Sequence, residues 1–314
     1  MLHEVMQGSL QERLKRFEEL YLKQGYRLVG RNSAVKICLW TKKSLLGKGE
    51  CYKSKFYGIS SWRCLQFTPS LFHCTHQCLF CWRKVEATLE PHEELPPDDP
   101  GEVVEKAILA QRELLSGFKG NPKVNLSKWE EAQLPRHAAI SLAGEPTLYP
   151  LLTPLLEEFH RRGFTTFLVS NGTIPERLKE LGVEPTQLYL TLPAPDEATY
   201  SMVCRPRIPD GWKKLNLSLE LLSSFSCRKV LRLTLVRGLN LKDPEGYAKL
   251  IEKANPDYVE PKGYFPVGYS RQRLGPSLMP THQEIRSFAE ELEKLTNYRI
   301  ADEVPVSSVV LMKR

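Results

Sequence analysis

The chain has 314 residues, 41% of them hydrophobic and 26% charged, which excludes disordered and fibrous classes and leaves enough apolar material for a substantial core. No stretch approaches the roughly 18 to 20 uninterrupted apolar residues of a bilayer-spanning helix, and the start, Met1 to Gln7, lacks a basic-then-apolar signal, so a cytoplasmic protein without a membrane partner is expected. Lysine plus arginine (44) exceeds aspartate plus glutamate (37) by 7, a tilt compatible with a polyanionic partner but not diagnostic of one.

In chain order, residues 10–24 carry Leu10, Leu14, Phe17, Leu20 and Tyr21 at three- and four-residue intervals and predict an amphipathic helix. The stretch to about residue 60 mixes Ile37-Cys-Leu-Trp40 with basic loops and reads as an N-terminal extension, residues 1–60. From Ser61 onward short apolar runs alternate with helical patterns, the rhythm of βα units around a parallel sheet. Strands are predicted at 62–67, 138–142, 165–169, 188–192, 231–235 and 258–260, and helices at 103–115, 151–162, 174–181, 196–203, 211–222 and 244–254. Residues 89–101, rich in proline and acids, read as an exposed connector, and 117–134 as a long irregular excursion. The six βα units fill residues 61–262. After them a helix at 281–295 and a strand at 306–312 make a C-terminal extension, residues 263–314.

Cysteine placement carries the chemistry. Six of the eight cysteines fall between positions 38 and 81. Cys74-Thr-His-Gln-Cys78-Leu-Phe-Cys81 puts three thiols on one short loop after the first predicted strand, where βα architectures place their chemistry. Zinc ribbons usually offer two pairs instead. Three thiolates on a tight loop can hold three irons of a cubane cluster and leave the fourth iron open. The competing assignment is a zinc knuckle completed by His73 or His76. Upstream, Cys38, Cys51 and Cys64 are each separated by twelve residues. They could converge on a second cluster with its own vacant iron, or be three packed cysteines, or form a disulfide with one thiol left over. Cys204 and Cys227 show no partner at ligand spacing and read as packed thiols.

Cys-x-x-x-Cys-x-aromatic-Cys, with Phe80 in the aromatic place, resembles the signature of the radical S-adenosylmethionine (SAM) enzymes. Together with the upstream triad, nearly the whole chain resembles one family of them, the enzymes that make 4-demethylwyosine in tRNA. The segments that carry the likeness are Cys51-Tyr-Lys53, Ser141-Leu-Ala-Gly-Glu-Pro-Thr-Leu-Tyr-Pro150, Ser170-Asn-Gly-Thr173, Cys204-Arg-Pro206, Leu231-Arg-Leu-Thr-Leu-Val-Arg-Gly-Leu-Asn240, Val267-Gly-Tyr-Ser-Arg271 and Met279-Pro-Thr-His282.

The resemblance implies an α/β fold: a partial (βα)6 TIM-like barrel with the two extensions already described. It implies two 4Fe-4S clusters, one on Cys74, Cys78 and Cys81 that takes SAM, the other an auxiliary cluster on Cys38, Cys51 and Cys64. Phe80, Gly144, Glu145, Ser170 and Asn171 would serve the cofactor, with Ala143 departing from the further glycine that many radical enzymes carry. Pro193 likewise stands where the family would have an acid. The second substrate would be pyruvate, held by the auxiliary cluster or as a Schiff base on Lys53, although Lys53 also fits a solvated RNA-facing patch with Lys48 and Lys55. The target would be N1-methylguanosine beside the anticodon of phenylalanine tRNA, turned outward to meet the radical. Arg205, Lys262, Tyr269 and Arg271, with Lys42, Lys43, Arg207, Tyr264 and Arg273, are the basic and aromatic candidates for RNA contact. An external electron donor and a monomeric state are expected. The alternatives are another radical enzyme with an auxiliary cluster acting on a peptide or small metabolite, and a noncatalytic zinc-containing RNA-binding protein.

Overall fold

The computed structural model describes residues 8–314, so Met1 to Gln7, read above for a targeting signal, lie outside the described residues. Two compact units divide the chain: one runs to residue 74 and resumes over 86–168, the other takes residues 75–85 and 169–314. Among the described residues no helix is long and apolar enough to cross a membrane.

In the first unit, α1 (Leu10–Lys23) starts at a capping box in which the Glu12 carboxylate accepts the Ser9 N–H at 2.8 Å. Its buried Phe17 and Tyr21 meet the Phe72 ring at centroid distances of 6.1 and 5.8 Å, which seats the helix beside the chain that leads to Cys74. Strands β1 (Arg27–Leu28) and β2 (Ala34–Val35) pair antiparallel. The short helices α2 (Leu39–Leu45) and α3 (Tyr52–Tyr57) follow, and β3 (Cys64–Thr68) then runs antiparallel to β2. From there the sheet is parallel: β3 pairs with β4 (His137–Ile140) and β4 with β5 (Thr165–Ser170). The crossovers are α4 (Pro100–Ser116), capped by Asp99, and α6 (Leu152–Arg161). Ile37, Leu45, Leu115 and Ala132 form a buried cluster, with Trp62 and Trp129 packed against it. This apolar burial, worth about 25 cal/mol per Å², fastens the N-terminal extension to the βα framework.

The second unit holds α7 (Pro175–Lys179), β6 (Gln187–Thr191), α8 (Glu197–Cys204), α9 (Gly211–Leu222), β7 (Arg228–Leu235), α10 (Pro244–Ala254) and β8 (Tyr258–Gly263). Beyond these lie α11 (Ser270–Arg273), α12 (His282–Leu295), β9 (Arg299–Val304) and β10 (Val309–Lys313). β6, β7 and β8 are parallel neighbours, and Leu188, Tyr189 and Leu190 are fully buried in succession, as strands covered on both faces require. β10 lies antiparallel to β8, and β9 antiparallel to β10. Three parallel strands in each unit make the six βα units that the sequence rhythm predicts.

Three expectations need correction. Residues 117–134 are not wholly irregular: α5 (Leu126–Ala132) lies there, its start fixed by the Asn125 side chain accepting the Lys128 N–H at 3.0 Å. The N-terminal extension contains α2 and α3, too short for periodicity to reveal. The terminal strand expected at 306–312 is present as β10, but a further strand, β9, precedes it and is joined to it through a turn in which Ser308 has φ 43°; the charges of Arg299, Asp302 and Glu303 hid that strand.

Candidate metal centres and cofactor site

The upstream cysteines converge within the first unit. Cys38 and Cys51 each occupy the N-cap of a short helix, α2 and α3. Cys64 opens β3 at the end of a single 3-10 turn, Ser61–Arg63. Ser61, buried to 1% exposure, bonds Cys51, Cys64 and Thr41, the last on the helix that Cys38 starts. Its hydroxyl accepts the Cys51 N–H at 3.0 Å, and its carbonyl accepts both the Thr41 hydroxyl at 2.9 Å and the Cys64 N–H. The thiols feel one another: burial first, then the neighbouring Cys38 and Cys51, push the Cys64 thiol far up, while Lys53 opposes the rise. Cys38 is raised too, by burial, against the pull of the Trp40 and Thr41 N–H groups and of Lys53. Lys53, two residues into the α3 segment, sets its ammonium 4.7 Å from the centre of the Phe167 ring on β5. Three thiols and one amine thus share one site. Their donor chemistry, with backbone N–H groups turned toward sulfur, fits an iron-sulfur cluster, which would displace the thiol protons that burial retains.

The second triad is spread along the loop after β3. Cys74 ends the first unit's run, and Cys78 and Cys81 belong to the other. Behind Cys74 the backbone is clamped. The His73 carbonyl accepts the Glu145 N–H at 2.9 Å, and Gly144, at φ 68°, lies so near that a Cβ added to it would sit 1.7 Å from the Ser70 oxygen and 2.6 Å from that of His73. Only glycine fits there. Glu145, 2% exposed, accepts from the Thr147 N–H at 3.1 Å and hydroxyl at 2.7 Å, which caps the following 3-10 turn. His73 is committed on both ring nitrogens, to Asn32 at 2.8 Å and to the Glu93 carbonyl at 2.8 Å, so it is not the fourth ligand of a zinc knuckle.

In the second unit, residues 79–83 are gripped from the C-terminal segment. Arg273 on α11 donates to the carbonyls of Leu79 (3.1 Å), Arg83 (3.2 Å) and Cys81. Tyr269 N–H bonds the Trp82 carbonyl at 2.9 Å. Gly268, φ 56°, admits that same carbonyl where a side chain could not sit. Phe80 packs on the cluster of Leu79, Val236, Tyr264 and Leu274. Asn171 donates to Thr75 at 2.8 Å and accepts from Thr173, and Ser170 accepts the Gly172 N–H at 3.0 Å, so both order the turn beside the loop's first residue. Cys204 does not behave as an isolated packed thiol: it stands beside Cys78 and His76, each donor within 4.8 Å of the others. The hydrogen bond that the protonated Cys78 thiol makes to Cys204, and then burial, push the Cys78 thiol well up, and burial holds His76 down to about 3.

Of the residues considered for RNA, Arg205 and Arg271 are exposed, Lys262 donates to the Ser307 carbonyl at 2.7 Å, and the Tyr269 ring lies 5.9 Å from the Lys84 ammonium. Pro193, where an acid was expected, offers its carbonyl to the Asn240 amide at 2.6 Å. Sequence reasoning missed Ser61, Arg273 and the place of Cys204. Arg273 left a trace as a basic residue read for RNA, and Cys204 as the start of the Cys204-Arg-Pro206 segment.

Three thiols on the loop after the first strand of a six-unit βα framework define a radical SAM protein, and a model of the Radical SAM superfamily matches residues 69–251. A second model, Wyosine base formation, matches residues 253–314. A tRNA 4-demethylwyosine synthase from Pyrococcus horikoshii is 57% identical over 96% of this chain and 89% of its own length. The Methanocaldococcus jannaschii protein of the same name is 38% identical over 94% and 96%. Among solved structures, TYW1 with a lysine-pyruvate adduct bound superposes with a TM-score of 0.86 at 37% identity, and an archaeal TYW1 with 0.78 at 34%, each covering 95% of both chains. The chain belongs to the S-adenosyl-L-methionine-dependent tRNA 4-demethylwyosine synthases. It is therefore a radical SAM enzyme that modifies tRNA, and the family requires SAM and a 4Fe-4S cluster.

Proposed function

We propose that the chain condenses N1-methylguanosine, beside the anticodon of phenylalanine tRNA, with pyruvate to form the tricyclic 4-demethylwyosine. The observation that carries this reading is the convergence of Cys38, Cys51 and Lys53 on Cys64, a second set of ligands and an amine that cleavage of SAM alone does not require. Cys74, Cys78 and Cys81 would hold the cluster that binds SAM, and Cys38, Cys51 and Cys64 an auxiliary one. When bound, the first cluster and SAM supply the 5'-deoxyadenosyl radical that takes a hydrogen atom from the guanosine N-methyl group.

The chain's own groups do the rest. Lys53, once deprotonated, attacks the keto carbon of pyruvate through Nζ, and water leaves as the imine forms. That bond fixes pyruvate beside the second triad, ready for the methylene carbon. The pyruvate C1–C2 bond then breaks, the carboxyl carbon departing with the unpaired electron as a one-carbon carboxylate radical, and the guanine exocyclic amine displaces Lys53 Nζ from the two carbons that remain, which closes the ring. The lysine-pyruvate adduct in the TYW1 structure supports this over simple chelation. Deprotonation gives up the attraction between the Lys53 ammonium and the Phe167 ring. Gly144 and Glu145 would set the backbone against which SAM lies, with Ser170, Asn171 and Phe80 shaping the neighbouring turns. Exposed Arg205 and Arg271, with Lys262 and Tyr269, supply salt-dependent affinity and stacking for the anticodon region. In this reading the enzyme works in the cytoplasm as a monomer supplied by an external electron donor. Residues 1–60 bring second-cluster ligands, 61–262 form the barrel and 263–314 close it and meet tRNA.

The test is iron and acid-labile sulfide per chain after anaerobic reconstitution. About eight irons falling to about four when Cys38, Cys51 and Cys64 become alanine supports two clusters; about four in both refutes the second. Borohydride with pyruvate should tag the Lys53 peptide and leave Lys53→Arg untagged. A tag absent from both overturns the imine.

A further inference from the structure

We propose that in the cluster-free chain His76, Cys78 and Cys204 form a mononuclear site for a thiophilic divalent cation such as Zn²⁺, and that its occupancy withholds Cys78 from the cluster. One ring nitrogen and two sulfurs lie within 4.8 Å of one another. His76 and Cys204 are 3% and 1% exposed. The arrangement is built by main chain, not by chance rotamers. The Gln77 N–H donates to the Cys204 carbonyl at 3.0 Å, the Leu79 N–H to that of Val203 at 2.9 Å, and the Arg207 N–H to that of Thr75 at 2.8 Å, while His76 bridges to Pro206. Residues 75–79 are thereby zipped along 203–207 with the three donors turned inward.

One tautomer of the histidine is suited to ligation. Its Nε2 pairs with the Tyr200 hydroxyl at 2.6 Å, and the two rings meet edge to face at 5.3 Å. In the neutral ring that donates Nε2–H to Tyr200, Nδ1 keeps its lone pair, the second-sphere arrangement common at metal-bound histidines. Gly211 leaves room for that hydroxyl, which a Cβ would strike. Two sulfurs and an imidazole suit Zn²⁺ in tetrahedral coordination, with the fourth position open. Binding releases the two thiol protons to solvent and changes no oxidation state. Because the Cys78 sulfur also belongs to the radical triad, the two metal centres compete for it. Only this consequence rests on the reading of Cys78 as a cluster ligand; the cation site stands without it.

The experiment uses the full-length cluster-free chain under anaerobic conditions, with Co²⁺ as a spectroscopic probe and Zn²⁺ as competitor. Wild type should show sulfur-to-cobalt charge transfer and tetrahedral bands that Zn²⁺ abolishes. Cys204→Ala and His76→Gln should each lower that thiolate-linked signal and weaken cobalt binding by at least about tenfold, and Tyr200→Phe by roughly 10–100-fold. One equivalent of Zn²⁺ should slow iron incorporation at the radical triad in wild type and not in Cys204→Ala, whose own reconstitution without zinc attests its fold. Cobalt spectra and affinities unchanged in Cys204→Ala and His76→Gln overturn the site. A zinc block that persists equally in Cys204→Ala also overturns it, because the cation then sits on Cys74, Cys78 and Cys81. Failure of every chain to take up iron counts against the cluster reading, and the cobalt spectra still decide the cation site.

Discussion

Replacing Gly144 with alanine sets a large, calculable conflict against one methyl group. At φ 68° an L-residue loses roughly 1–2 kcal/mol. The added Cβ falls 1.7 Å from the Ser70 oxygen and 2.6 Å from the His73 oxygen, and both are backbone, so neither can rotate away. Relief requires residues 70–73 to shift, at a cost of about 1–3 kcal/mol by the precedent of overpacked cores. Together the penalty is about 2–5 kcal/mol, a large part of the 5–15 kcal/mol that typically separates folded from unfolded states. The shift would act on the backbone immediately before Cys74. Urea unfolding of the cluster-free chain should therefore show the loss, and reconstituted Gly144→Ala should retain less iron at the radical triad than wild type. Gly120→Ala, with open space around the new methyl, is the control and should be neutral or slightly stabilising. Gly144→Ala matching that control in both stability and iron content would refute the close approach.

Ser61→Ala removes the hydroxyl that receives the Cys51 N–H inside a buried setting, and should cost about 1–3 kcal/mol while lowering iron at the auxiliary triad more than at the radical one; equal iron at both, read by elemental analysis in single-triad backgrounds, would count against the hub. Arg273→Gln strips a charged donor from the carbonyls of Leu79, Cys81 and Arg83, so roughly 1.5–3 kcal/mol of local order should go, seen as faster loss of the cluster to an iron chelator. Glu284 is held down at about 2 by Arg237 first, with the Thr281 N–H and hydroxyl adding to it. A carboxyl lowered on folding stabilises above its ordinary value of 4.5, and that stability fades as pH falls from there toward 2. The pair is more than a third exposed, so screening limits the effect to about 1 kcal/mol. Glu284→Gln should flatten the acid limb of a stability-versus-pH curve, and an unchanged limb would exclude the carboxylate as its source.

The βα framework was legible because its signals are local. α9 and α10 begin and end where apolar spacing places them, and the buried strands read as unbroken apolar runs. The spacing of Cys74, Cys78 and Cys81 pointed to a cluster, whereas that of Cys38, Cys51 and Cys64 left a cluster, packed thiols and a disulfide open until the family resemblance was added. What stayed hidden depends on distance along the chain. Ser61 is one serine among many until Thr41, Cys51 and Cys64 fold onto it, and Cys204 lies 126 residues beyond Cys78 with no motif linking them. The short helices α2, α3 and α5 escaped because six or seven residues span fewer than two turns. Cys38 and Cys51 also lack the cap-forming side chains that usually announce a helix start.

Arg273 shows how a family-specific segment can serve a superfamily-wide loop. The sequence offered it as a charge for RNA, but its guanidinium is spent on three carbonyls of residues 79–83. Gly268 and Tyr269 close on the Trp82 carbonyl between them. All three lie in the stretch matched to wyosine base formation, and the loop they hold lies in the stretch matched to the radical superfamily. The same segment is anchored at its far side: Arg237, from the Leu231–Asn240 motif, donates to the Ser277 carbonyl at 2.8 Å and pairs with Glu284, which in turn accepts the Thr281 N–H at 2.7 Å and caps α12. Segments that stand apart in the sequence are thus one brace running from β7 to the cysteine loop. A substitution that loosens Arg237 from Glu284 should therefore be felt at Cys81, whereas one at the neighbouring exposed Arg271, which donates to the Pro266 carbonyl and stands outside this brace, should not.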